Sequence, residues 1–107
     1  MSEVIEERFG LGQAVIDKIN GVFAGFPSIE KAMLYGSRAK GNHRPGSDID
    51  LTIVGSGVTE EELLKMECEL DDLLLPYTID LCRFQGIRNP DLIGHIERVG
   101  VVFFPDL

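Results

Sequence analysis

The chain has 107 residues, 44% of them hydrophobic, and a formal net charge of −8, enough for one core of modest size in a single domain spanning 1–107. So acidic a balance argues against sequence-independent binding to DNA or RNA, which needs a basic surface. No apolar run approaches the roughly 18 residues of a membrane span, and the acidic start Met-Ser-Glu-Val-Ile-Glu-Glu lacks the basic region of a secretory signal, so a cytoplasmic protein without membrane partners is expected.

Leu11, Val15, Ile16, Ile19, Val22 and Phe23 recur at helical spacing and predict an amphipathic first helix over 11–23. Gly10 and Gly12 leave open whether this helix reaches back through Val4 and Ile5 or follows a separate turn. Gly25-Phe26-Pro27-Ser28 ends the segment, and a first strand runs from about Glu30 to Tyr35, with Tyr35 expected in the core. Gly36 stands where that strand ends, and its missing Cβ allows a sharp turn and a close approach to a ligand. Ser37 then opens a short helical turn through Arg38, Ala39 and Lys40. A hydroxyl, free N–H groups and a positive helix end there suit an incoming phosphate. Arg38, Lys40 and Arg44 add positive charge nearby, although a merely solvated role fits each of them as well.

Asp48 and Asp50 lie two apart at the head of Asp-Ile-Asp-Leu-Thr-Ile-Val, a β-branched run that predicts a second strand ending at Val54, so both carboxylates project from one face. Ile49, Leu51 and Ile53 project from the other. Two adjacent carboxylates repel unless a cation lies between them, and hard oxygen ligands select Mg²⁺ or Mn²⁺. Thr59-Glu60-Glu61-Glu62 reads as a capping box for a helix that ends near Leu75-Pro76, with Leu63, Met66, Leu70, Leu73 and Leu74 as its buried stripe and acidic residues on its wet face. Tyr77 to Phe84 predicts a third strand on which Asp80 is the lone acid, sharing a face with Thr78 and Cys82. Asp80 is the candidate for a third metal ligand. An ion pair with Arg83 or Arg38 is the structural alternative.

Asn89-Pro90 marks the N-cap and first residue of a last helix, with Leu92, Ile93, Ile96 and Val99 as its apolar stripe and Gly100 as its stop. His43 and His95 fit surface or packing positions better than catalysis. Cys68 and Cys82 have no metal-type spacing with histidine and read as reduced packing residues. Val101-Val102-Phe103-Phe104 closes the chain as a strand. The order α-β-(turn)-β-α-β-α-β predicts an α/β (α+β) fold, a mixed sheet of about four strands with helices packed mainly on one side.

Gly36-Ser37-Arg38-Ala39-Lys40-Gly41, then Arg44, then Ser47-Asp48-Ile49-Asp50-Leu51 resemble the signature of the DNA polymerase beta-like nucleotidyltransferase superfamily, and most closely its minimal (MNT) branch. The strand around Asp80 and the closing segment Ile96 to Phe104 also look like that branch. The resemblance implies that Gly36 and Ser37 hold the terminal phosphates of ATP, with Arg38, Arg44 and Ser47 as further nucleotide-binding candidates. It implies that Asp48, Asp50 and Asp80 are the catalytic carboxylates and ligate two Mg²⁺ ions, Mn²⁺ being possible. The implied reaction is attack of a hydroxyl on the α-phosphorus of ATP with release of pyrophosphate.

Larger members of the superfamily append an acceptor-binding domain, whereas this chain ends soon after its last core strand. Minimal members resemble the antitoxin halves of pairs whose other half is a helical HEPN ribonuclease toxin. The expectation is therefore transfer of AMP to a hydroxyl of such a toxin, in a hetero-oligomer with it. A non-catalytic antitoxin that acts by binding, and transfer to a small molecule such as an aminoglycoside, are the alternatives.

Overall fold

The computed structural model describes residues 7–106. In chain order its elements are β1 (Glu7–Arg8), β2 (Leu11–Gly12), α1 (Gln13–Phe23), β3 (Lys31–Tyr35), α2 (Gly36–Lys40), β4 (Ile49–Val54), α3 (Glu60–Asp71), β5 (Ile79–Arg83), a 3₁₀ turn (Phe84–Gly86), α4 (Pro90–Val99) and β6 (Val101–Phe104). β1 and β2 form a small antiparallel hairpin, and the other four strands make one sheet in the order β5-β4-β3-β6. β3 is antiparallel to β4 and β6, while β4 and β5 run parallel, so the sheet is mixed as expected.

Strand alternation divides the sheet into two unlike faces. Ala32, Leu34, Ile49, Leu51, Ile53 and Leu81 all turn to one side and pack against Ile16, Ile19 and Phe23 of α1 and Leu63, Met66 and Leu70 of α3, forming the main core. The register places Met33 opposite Thr52, Tyr35 opposite Asp50, Asp50 opposite Asp80 and Thr52 opposite Cys82, all on the other side. That second face is covered in part by α4, whose buried Ile96 lies with Met33 along a cavity wall.

Both predicted caps form. Thr59 and Glu62 make the reciprocal capping box, and the Asn89 side chain accepts a hydrogen bond from Asp91 N–H at 2.9 Å with Pro90 at the first helical turn.

Several boundaries differ from the sequence reading. α1 starts at Gln13, because Leu11 and Gly12 are taken by a separate hairpin whose turn residue Phe9 has φ 61° and packs its ring 6.0 Å from that of Phe103. The possible extension through Val4 and Ile5 lies outside the described residues. α3 stops at Asp71, not near Leu75, and Leu74 is 87% exposed at φ 54°, so it leaves the buried stripe. β5 spans Ile79–Arg83 rather than 77–84, and Cys68 is exposed rather than packed.

Candidate functional site

On the face opposite the main core, Tyr35, Asp50 and Asp80 form one row across β3, β4 and β5, each the direct cross-strand partner of the next. Asp48 stands two residues ahead of Asp50, exposed at the mouth of β4. The sequence-predicted acidic trio therefore gathers at one end of the parallel β4–β5 pair. Asp80 is exposed, and among the described residues it makes no ion pair: Arg83 bonds Glu60 at 3.0 Å, and Arg38 is engaged with backbone. The structural alternative for Asp80 therefore finds no support.

Gly36 begins α2 at φ +75°, and a Cβ there would run into the Asp50 carboxylate. Only glycine lets the turn and the acid pack together without strain. The Gly36 N–H donates to His95 Nε2 on α4 at 3.1 Å, and the His95 ring meets Tyr35 edge-on with centroids 6.2 Å apart. His95 is thus a site neighbour that a surface or packing reading misses. Its position three residues after Leu92 and four before Val99 sets it beside the apolar stripe of α4, which is the signal that could have found it. Tyr35 is buried as expected, yet its hydroxyl lies 3.7 Å from Cys82 Sγ, on the face that carries the acids.

Arg38 is not the free positive charge that the sequence suggests. It is 3% exposed, and its guanidinium donates to Phe9 O at 2.8 Å and twice to Ser47 O, at 2.8 and 3.1 Å, while standing 5.2 Å from the Tyr77 ring centre. It clamps the residue before Asp48 to the N-terminal hairpin. Ser47 is likewise engaged: its Oγ accepts from Arg44 N–H at 2.9 Å, and its own N–H donates to Arg44 O at 3.0 Å. Pro45 and Gly46, the latter at φ 85°, occupy the two central positions of this turn, as a type II turn requires. Ser37 is half-buried, and Lys40 and Arg44 are exposed at the open side.

The electrostatics follow from this crowding. Burial pushes the Asp50 carboxyl above its ordinary value, and the neighbouring Asp80 and Asp48 push it the same way, with the Arg38 guanidinium a smaller opposing pull. Burial and the Cys82 contact, with lesser help from Asp50 and Asp80, push the Tyr35 hydroxyl well above its ordinary value. Among the described residues no three His, Cys, Asp or Glu side chains are brought close enough together to hold a metal ion as they stand. The donor set nonetheless fits a hard divalent cation: carboxylate oxygens in a row, one of them held against its preference for charge by its acidic neighbours.

The model of the polymerase beta nucleotidyltransferase family matches residues 17–106. No curated protein matches the sequence at a significant level. Among solved structures, a chain of a toxin–antitoxin complex with AMP-PNP superposes at TM-score 0.67 with 18% identity, over 85% of this chain and 73% of that one. A chain from the complex of a tri-AMPylated Shewanella oneidensis HEPN toxin with its MNT antitoxin does so at TM-score 0.63 with 17% identity, over 88% and 72%. A chain of the MntA–HepT toxin–antitoxin complex gives TM-score 0.63 and 17% identity, over 88% and 73%. At these identities the likeness is one of fold. With the family match reaching from α1 to the last strand, and with its signature glycine and aspartates meeting at one end of the sheet, the chain belongs to the polymerase beta nucleotidyltransferase family.

Proposed function

We propose that this chain transfers AMP from ATP, with Mg²⁺, to a hydroxyl of a partner protein, and that the partner is a HEPN-type toxin which the transfer neutralises. The observation that carries the reading is the Asp50–Asp80 pairing on the acid-bearing face, with Asp48 beside it and Gly36 packed onto Asp50. The shared fold with antitoxins in toxin–antitoxin complexes, one containing AMP-PNP and another an AMPylated HEPN toxin, supports the choice of nucleotide and partner.

Asp48, Asp50 and Asp80 are the residues to hold Mg²⁺, which when bound supplies positive charge for the phosphates and relieves the repulsion among the three carboxylates. Gly36 and Ser37 form the turn that receives the terminal phosphates, with the Ser37 N–H and hydroxyl as donors and Arg44 at the open side, while the Gly36 N–H is held by His95. Arg38 does not touch the nucleotide in this reading; it holds the Ser47 carbonyl and so fixes where Asp48 stands. The acceptor oxygen forms a bond to the α-phosphorus as the bond from that phosphorus to the bridging oxygen breaks. Pyrophosphate leaves, and the acceptor proton passes to a carboxylate oxygen of Asp80.

The test is incubation of the purified chain with labelled ATP, Mg²⁺ and the protein encoded by the adjacent gene. Label should appear on the partner, and Asp48→Ala should abolish both label and neutralisation. An unlabelled partner that Asp48→Ala neutralises as well as the native chain does would mean inhibition by binding instead.

A further inference from the structure

His95 has no place in the reaction as written, yet three features tie it to the site. Its Nε2 accepts the Gly36 N–H at 3.1 Å, which requires the neutral tautomer with its proton on Nδ1. Its ring abuts Tyr35, the residue that leads into Gly36. The helix that carries it is fixed at its start by the Asn89 cap and seated by buried Ile96 next door, so the ring is presented from a rigid support. On its other side Gly36 meets the Asp50 carboxylate.

Given the nucleotidyltransferase reading above, on which this rests, we infer that His95 is a positioning residue for ATP. By accepting the Gly36 N–H it fixes the Tyr35–Gly36 peptide and keeps that donor off Asp50. Without His95 the acceptor at hand is the Asp50 carboxylate lying against Gly36. A hydrogen bond formed there would rotate the peptide, shift the Gly36–Ser37 turn and occupy an oxygen that the cation needs. The link is sequence-distant, reaching 59 residues from the signature turn to the last helix.

Two variants test this in the full chain. His95→Phe keeps an aromatic ring against Tyr35 but has no acceptor, whereas His95→Gln can place its Oε1 near the position of Nε2. AMP-PNP with Mg²⁺ is titrated calorimetrically into each, and steady-state transfer to the partner is measured. In His95→Phe, AMP-PNP affinity should fall about five- to tenfold, the worth of one hydrogen bond. The KM for ATP should rise in step while the KM for the acceptor stays unchanged, a split that general loss of folded protein cannot produce. His95→Gln should restore both to within about threefold of the native values, a smaller loss than the bond itself is worth. Native affinity in His95→Phe, or a His95→Gln no better than His95→Phe, would overturn the inference. If the native chain itself binds no AMP-PNP, the nucleotidyltransferase reading fails and takes this role with it; a native chain that binds while His95→Phe is unimpaired removes the positioning role alone.

Discussion

The Asp50 carboxylate fills the space that a side chain on Gly36 would need, and Gly36 sits there at φ +75°. Two independent demands, one steric and one conformational, thus fall on the same backbone position.

Gly36→Ala should therefore lose stability even though it adds only a methyl group. A left-handed non-glycine residue costs roughly 1–2 kcal/mol, which in a domain of this size lowers Tm by about 5–10 °C. Thermal melts followed by circular dichroism would show it, and AMP transfer should fall with it because Asp50 must move. An unchanged Tm would mean the turn relaxes freely.

Asp50→Asn should stabilise the metal-free protein while abolishing transfer. The Asp50 carboxyl is pushed up from 3.8 by burial and by Asp80 and Asp48, so the folded chain holds its proton more tightly than the unfolded chain does. Its contribution to stability is fully present below pH 3.8 and is lost as pH rises through the raised value. Melts in EDTA between pH 4 and 7 should show this decline in the native chain and a flatter profile in Asp50→Asn. At pH 7 Mg²⁺ should raise the Tm of the native chain and leave the variant unmoved.

Asp80→Asn should separate chemistry from binding. With Asp80 at the acceptor side, transfer should drop about a hundredfold or more while AMP-PNP affinity changes less than about threefold. Equal losses in turnover and affinity would remove the assignment of Asp80 to the acceptor hydroxyl.

Arg38→Ala should behave as a folding variant. It strips donors from the Phe9 and Ser47 carbonyls, and leaving such groups unpaired costs on the order of 1–3 kcal/mol each. Arg38→Lys should not recover the loss, since an ammonium cannot reproduce the fork that grips Ser47 O twice. Urea denaturation measures both. A variant of native stability that has lost ATP binding would mean that the guanidinium meets the nucleotide.

That Asp48 and Asp50 share a face was legible because alternation in a β-branched run determines which side chains point the same way, whereas the direct pairing of Asp50 with Asp80 depends on a strand order and register that no local pattern carries. The capping box at Thr59 and the Asn89-Pro90 start were legible for a similar reason: local chemistry alone decides a helix start. Arg38 was not, because its partners come from Phe9 and Ser47, on opposite sides of it in sequence, and a basic residue beside a phosphate motif looks the same whether it faces ligand or backbone. His95 escaped because its bond to Gly36 depends on how α4 crosses β3. The early end of α3 follows from Leu74 taking a left-handed turn, which apolar periodicity through Leu70, Leu73 and Leu74 conceals.

Asp80 lies on the outermost strand of the sheet, exposed to water. It therefore stands at a margin of the sheet, on a strand with a neighbour on one side only. Under the proposed reaction, an acid so placed leaves room for a hydroxyl carried on a large partner to reach it from beyond the sheet's edge.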